Sequence, residues 1–137
     1  MLGTGILPTP DRDSERYWAT LADGRFEIQR CGDCGHWSWP PRPICSGCHG
    51  ETLHWEAISG AGEVHGWIVT HQMYGPSLVA LVPYTVVQVR VDEQPDILIP
   101  GRFVSEDVEV HSGLRVRAVP IKVGEGLGVV EWEAAPV

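Results

Sequence analysis

Val87, Val89 and Val91 alternate with Gln88, Arg90 and Asp92 in "YTVVQVRVDE". A period of two marks a strand with one buried face. The same pattern returns in "LRVRAVPI", where Leu114, Val116 and Ala118 oppose Arg115 and Arg117. "EVHGWIVTH", "DILIPGRFV" and "GVVEWEA" are three further apolar stretches, set apart by turn-rich segments such as "SGAG". Pro100-Gly101 breaks the second of these or bends it at a bulge. About five short strands over residues 57–137 predict a small barrel or sandwich. An OB-like five-stranded barrel is the first expectation, an SH3-like barrel or sandwich the second.

The period changes upstream. "RFEIQR" places Phe26 and Ile28 on one side of a strand. Residues 8–24, "PTPDRDSERYWATLADG", set Tyr17, Trp18, Leu21 and Ala22 at helical spacing. Thr9 or Asp13 is the expected cap of that short helix, and Gly24 its stop. The order is a helix over 8–24, a cysteine module over 25–56 and an all-β segment over 57–137.

Composition narrows the class. The chain has 137 residues, enough for one core, with 43% hydrophobic and 20% charged positions. Its net charge is −8, the wrong sign for general attraction to phosphate backbones. No basic-then-apolar leader and no membrane-length run are read; the longest apolar run, "SLVALVPYTVVQV", is interrupted by Pro83. The expectation is a cytoplasmic protein, where thiols stay reduced and paired cysteines bind metal more often than they form disulfides.

All four cysteines lie in "CGDCGHWSWPPRPICSGCHG". Cys31 and Cys34 form one C-x-x-C pair, Cys45 and Cys48 the other. Each pair can form a tight turn aiming two sulfurs at one ion, with Gly32, Gly35, Gly47 and Gly50 supplying permissive backbone. Four thiolates make the closed tetrahedral shell of structural zinc; iron is also compatible with four sulfurs. "CSGCH" matches haem attachment, but that reading needs export and orphans the first pair. A thioredoxin-like pair needs a βαβ setting, which this chain lacks. His36, His49 and His54 could each replace a cysteine, yet nothing requires it. With the thiols on metal, no cysteine nucleophile remains, and "GEGLG" lacks the lysine and flanking pattern of a phosphate loop. By itself the chain reads as a poor enzyme.

Between the pairs, "WPPRP" reads as a stiff extended arm. Trp37, Trp39 and Arg42 are residue types favoured at interfaces. In order, "YWATLADGRFEIQRC", "CGDCGHWSWPPRPIC", "GAGEVHGWIVTH" and "VPYTVVQVRVDE" resemble the zinc-ribbon/OB-fold family of acyl-CoA-associated proteins, over roughly residues 13–133. The resemblance implies a mainly β fold: a short N-terminal helix, a rubredoxin-like zinc ribbon and a C-terminal OB-like barrel. It implies Cys31, Cys34, Cys45 and Cys48 as zinc ligands. It matches Trp39, Pro40, Pro41 and Arg42 to the family's aromatic-Pro-Pro-Arg segment, and His71, Pro83 and Tyr84 to its histidine and Pro-Tyr positions. With Trp37, these are the candidates for contact with a partner or acyl-CoA. Ser46-Gly47 departs from the proline-containing turn common in the family.

The resemblance further implies a non-catalytic role. Such proteins stabilise a thiolase-superfamily enzyme, a thiolase, synthase or lipid-transfer-protein-like acyl-CoA aldolase, in a heterotetramer, and help form its acyl-CoA channel. Steroid, fatty and small acyl groups all stay open as substrates. Two other readings are carried: an OB-fold module for nucleic acid, and an independent small acyl-CoA hydratase or esterase.

Overall fold

The computed structural model describes residues 9–71 and 83–136. "SLVALV" of the apolar run and the first eight residues lie outside the described residues. Within them are one helix and eight strands. These are α1 (Glu15–Ala22), β1 (Glu27–Cys31), β2 (Trp37–Ser38), β3 (Leu53–Ala57), β4 (Ala61–Thr70), β5 (Tyr84–Val91), β6 (Leu98–Arg102), β7 (Arg115–Gly124) and β8 (Leu127–Ala134). Two antiparallel sheets result, ordered β2-β1-β3 and β6-β5-β4-β7-β8.

α1 begins later than the pattern predicts. Neither Thr9 nor Asp13 caps it. Asp11 closes a turn first: its Oδ1 accepts the N–H groups of Asp13 (3.0 Å) and Ser14 (2.8 Å). Those donors, Ser14 foremost, hold the Asp11 carboxyl below its usual range. These are the side-chain bonds of a helix cap, and with the Glu15 N–H donating to Asp11 O (2.9 Å) they lead the chain into the helix that runs from Glu15. Its end follows expectation. Gly24 has φ +79°, and the Gly24 and Arg25 N–H groups reach Leu21 O (3.0 Å) and Thr20 O (2.9 Å), a Schellman closure. Tyr17 and Leu21 are buried, and the helix packs on β8 and β7.

The five-stranded sheet carries each of the five predicted strands. Val87, Val89, Val91 and Val116 are fully or almost fully buried, while Arg115 and Arg117 face outward onto Asp92 and Glu133. Pro100 sits within β6, an edge strand, where its missing N–H breaks no ladder. The sheet is OB-like but does not close. Its two edges meet through one parallel bridge, Phe103 with Trp132, and the Val104 N–H to Trp132 O bond at 2.9 Å. That approach depends on Gly101, where a Cβ would lie 2.5 Å from Val130 O and 2.8 Å from Trp132 Cδ1.

One core serves all three parts. Tyr17 and Leu21 from the helix, Ile28 and Trp37 from the ribbon and Val89, Ile99 and Trp132 from the sheet belong to one buried cluster. The ribbon is too small to enclose a core of its own, so it borrows the sheet's.

Candidate metal centre and its supports

The two cysteine turns are built alike. In the first, Cys31 N–H donates to His36 O (2.9 Å) and Gly35 N–H to Cys31 O (3.0 Å). In the second, Cys45 N–H donates to Gly50 O (2.9 Å) and His49 N–H to Cys45 O (3.0 Å). The offsets are identical, so the turns repeat one design. The fifth position of each turn is left-handed: Gly35 has φ +78° and His49 φ +64°. Of the four glycines expected to supply such backbone, only Gly35 does. Gly32, Gly47 and Gly50 instead make room, respectively, for Thr52, for the His36 ring and for Asp33 with the Cys48 sulfur.

The four sulfurs converge. Cys31 Sγ and Cys48 Sγ are 3.6 Å apart, as are Cys34 Sγ and Cys45 Sγ, and all four lie within 4.8 Å of one another. A tetrahedron with bonds of about 2.3 Å has edges of about 3.8 Å, so the thiols are spaced for one zinc-sized ion. Backbone donors point at the sulfurs: Asp33 N–H at Cys31 (3.4 Å) and Gly47 N–H at Cys45 (3.3 Å). Such donors favour thiolate. Cys45 is accordingly pulled down to about 6, first by the Cys48 N–H and then by the Gly47 N–H. Cys48 is pushed up to about 12. The Gly50 N–H lowers it, but the neighbouring sulfurs and burial together outweigh that bond. Four sulfurs this close ionise together only around a cation. The shell is complete without histidine. The His36 Nε2 lies 3.5 Å from Gln94 Nε2, and the His54 Nε2 lies 3.3 Å from Glu56.

The segment between the turns is held from two sides. Gln94, in the β5–β6 connection, accepts the Trp37 N–H at its Oε1 (3.0 Å) and donates from Nε2 to Trp37 O (2.8 Å). Its side-chain amide thus acts as one residue of an added strand and ties ribbon to sheet. Gln29, buried in β1, accepts the Arg42 N–H at 2.8 Å. The Trp39–Pro40 peptide is cis.

These contacts sort the candidates from the sequence. Trp37 is buried beneath the Arg30 guanidinium, 4.8 Å from its ring centre. It belongs to the buried core cluster. Trp39 is half-buried, edge-on to Tyr17 at 6.0 Å. Pro40 is exposed; Pro41 and Arg42 are half-buried. Eight of the ten cationic side chains pair with carboxylates: Arg16, Arg25, Arg30, Arg90, Arg102, Arg115, Arg117 and Lys122. Arg42 has no such partner among the described residues. Tyr84 pairs in register with Thr70, so His71 and Pro83 flank the last rung of the β4–β5 hairpin, far along the chain from the cysteines. Sequence reading missed Gln94 and Gln29, because a single amide in a connection or on a buried strand face carries no periodic signal.

A closed four-thiolate site on a ribbon that leans on an open OB-like sheet defines the class: a zinc-ribbon/OB-fold protein. Family models agree. One, described as the ChsH2 rubredoxin-like zinc ribbon domain, matches residues 18–54. Another, the ChsH2 C-terminal OB-fold domain, matches residues 55–119. A DUF35 domain-containing scaffold protein of Pyrococcus furiosus is 30% identical over 111 residues, spanning 80% of this chain and 79% of that protein. The chain belongs to the ChsH2/DUF35 family. Its fold is shared with the Ltp2–ChsH2(DUF35) aldolase structure, at TM-score 0.82 and 24% identity, covering 94% of this chain and 99% of that one. A DUF35-family protein of unknown function from Sulfolobus solfataricus follows at TM-score 0.62 and 12% identity, covering 90% and 86%.

Proposed function

We propose that this protein is a non-catalytic subunit that binds and stabilises a thiolase-superfamily enzyme and helps form its acyl-CoA channel. The observation that carries the reading is the membership of this chain in a family whose Pyrococcus relative is named a scaffold protein and whose fold occurs in an aldolase complex. The chemistry agrees. The cysteine thiols are committed to one closed shell, so zinc, when bound, supplies rigidity and offers no open position for water. The chain's own residues hold the Trp37–Arg42 segment between Gln94 and Gln29. Arg42, without a carboxylate partner, is suited to an anionic group of acyl-CoA at the shared surface. His71, Pro83 and Tyr84 are kept as a second candidate contact, on the hairpin.

The nucleic-acid reading is weakened by the ion pairs. OB folds that bind single strands use a basic groove, and here eight cations are neutralised by neighbouring carboxylates. The test is reconstitution. Adding this subunit to its purified partner is expected to raise acyl-CoA turnover, while the subunit alone shows none. The Arg42→Glu variant should raise KM for acyl-CoA about tenfold, the loss of one charged contact. Turnover by this chain alone would establish an independent enzyme in its place.

A further inference from the structure

β4 outruns β7, while β5 beside it stays paired with β6 as far as Val86. β7 pairs only with Ala61–Glu63 of β4. The last contacts on that side are at Val64, whose N–H donates to Leu114 O (2.9 Å) and whose carbonyl accepts the Gly113 N–H (2.8 Å). From Gly66 to Thr70, β4 pairs with β5 alone. Among the described residues nothing pairs its other edge. Trp67, Ile68 and Val69 follow one another there and are 44%, 64% and 48% exposed. A strand with one covered face exposes alternate residues. Three consecutive exposed apolar residues mean that, among the described residues, neither face of this arm is fully covered. Beside it lies a shallow groove of about 250 Å³, lined by Trp67, Ile68, Val86, Gln88 and Pro100.

Charge singles out the same segment. Residues 66–89 contain no Asp, Glu, Lys or Arg, in a chain with 20% charged positions. Natural edge strands are normally blunted by charges, proline or short length. This one carries neither charge nor proline along Gly66–Thr70, and a bulge between Val64 and Gly66 lies at its base. An uncharged arm offers nothing to a phosphate backbone or an anionic membrane, which both need cations. A second copy would bring two chains of net charge −8 together, an unfavourable encounter.

We propose that this arm is the docking element for the partner enzyme, whose occupying segment is an extended, apolar, uncharged strand. The strand adds to the free edge of β4 through backbone hydrogen bonds and sends a side chain into the groove beside Ile68 and Pro100. The proposal rests on the partner reading above and assigns its surface.

The experiment uses the full chain and the co-expressed partner. Ile68→Glu and Trp67→Glu are expected to weaken the complex at least about tenfold, while Val108→Glu, exposed on the β6–β7 connection, leaves it unchanged. Hydrogen exchange of the wild-type complex should show new protection at the His65–Thr70 amides, a readout that no misfolded variant can mimic. If wild type binds and both arm variants bind equally well, with no new amide protection, the arm is not the docking element. A wild-type homodimer that Ile68→Glu dissolves while partner binding survives overturns it as well. If wild type binds no such partner, the partner reading itself falls.

Discussion

His49 and Gly35 occupy the same place in two copies of one turn, which answers what the histidine of "CSGCH" does. It is neither a haem ligand nor a zinc ligand but a non-glycine residue held at φ +64°. Left-handed backbone costs a non-glycine residue about 1 kcal/mol. His49→Gly should therefore raise the stability of the zinc-loaded protein by up to about 1 kcal/mol, and Gly35→Val should lower it by at least as much; thermal unfolding of both variants checks this. The spacing of the cysteines revealed the ligands because two residues between thiols is what a sulfur-directed turn requires. The repeat within the turns is visible in the sequence only as Gly35-His36 against His49-Gly50, and the swapped order hides it. Protonation gives a second prediction at this scale. A Cys48 thiol pushed up to about 12 stays protonated at pH 7 in the apo-protein, so zinc binding must expel its proton. Zinc affinity should rise with pH, and calorimetry in buffers of different ionisation enthalpy should register proton release. A binding heat independent of buffer would contradict it.

At the scale of elements, the strands with clean alternation were legible, and the short or covered ones were not. β5 and β7 declare themselves because one face meets the core and the other meets water. β2 has two residues and owes its place to Gln94; β3, "LHWEA", has no alternating burial and is a strand through its pairing with β1. Neither has a period to read. The lead-in to α1 lies at neither Thr9 nor Asp13 because Asp11, between them, takes the capping bonds with its own side chain. Two substitutions test how elements are joined. A Cβ at Gly128 would collide with the Ala22 backbone N and the Leu21 side chain. Gly128→Val should lift α1 from β8 at a cost of about 3 kcal/mol, measured by denaturant unfolding. Gln94→Ala leaves the Trp37 N–H and carbonyl unpaired, at about 2–3 kcal/mol. It should also loosen ribbon from sheet, so that chelating zinc shifts sheet unfolding less in the variant than in wild type. An equal shift in both would show that the amide is no bridge.

The whole molecule is a small acidic platform with one shared core. Metal stiffens one end, and the sheet carries an uncharged β4 edge that no described strand pairs beyond Val64. Among the described residues no helix is long and apolar enough to cross a membrane. The platform's architecture could be anticipated from periodicity, cysteine spacing and family resemblance, because each records a constraint inside this chain. The arm could not. Its apolar residues read from sequence as one more apolar stretch, and only the structure shows that, among the described residues, no neighbour covers them. Covering them falls to the proposed partner, and co-expression with the proposed thiolase-superfamily enzyme tests that most directly. The two chains should elute from a sizing column as one complex with one zinc per copy of this subunit. Separate elution of two well-folded proteins would contradict it.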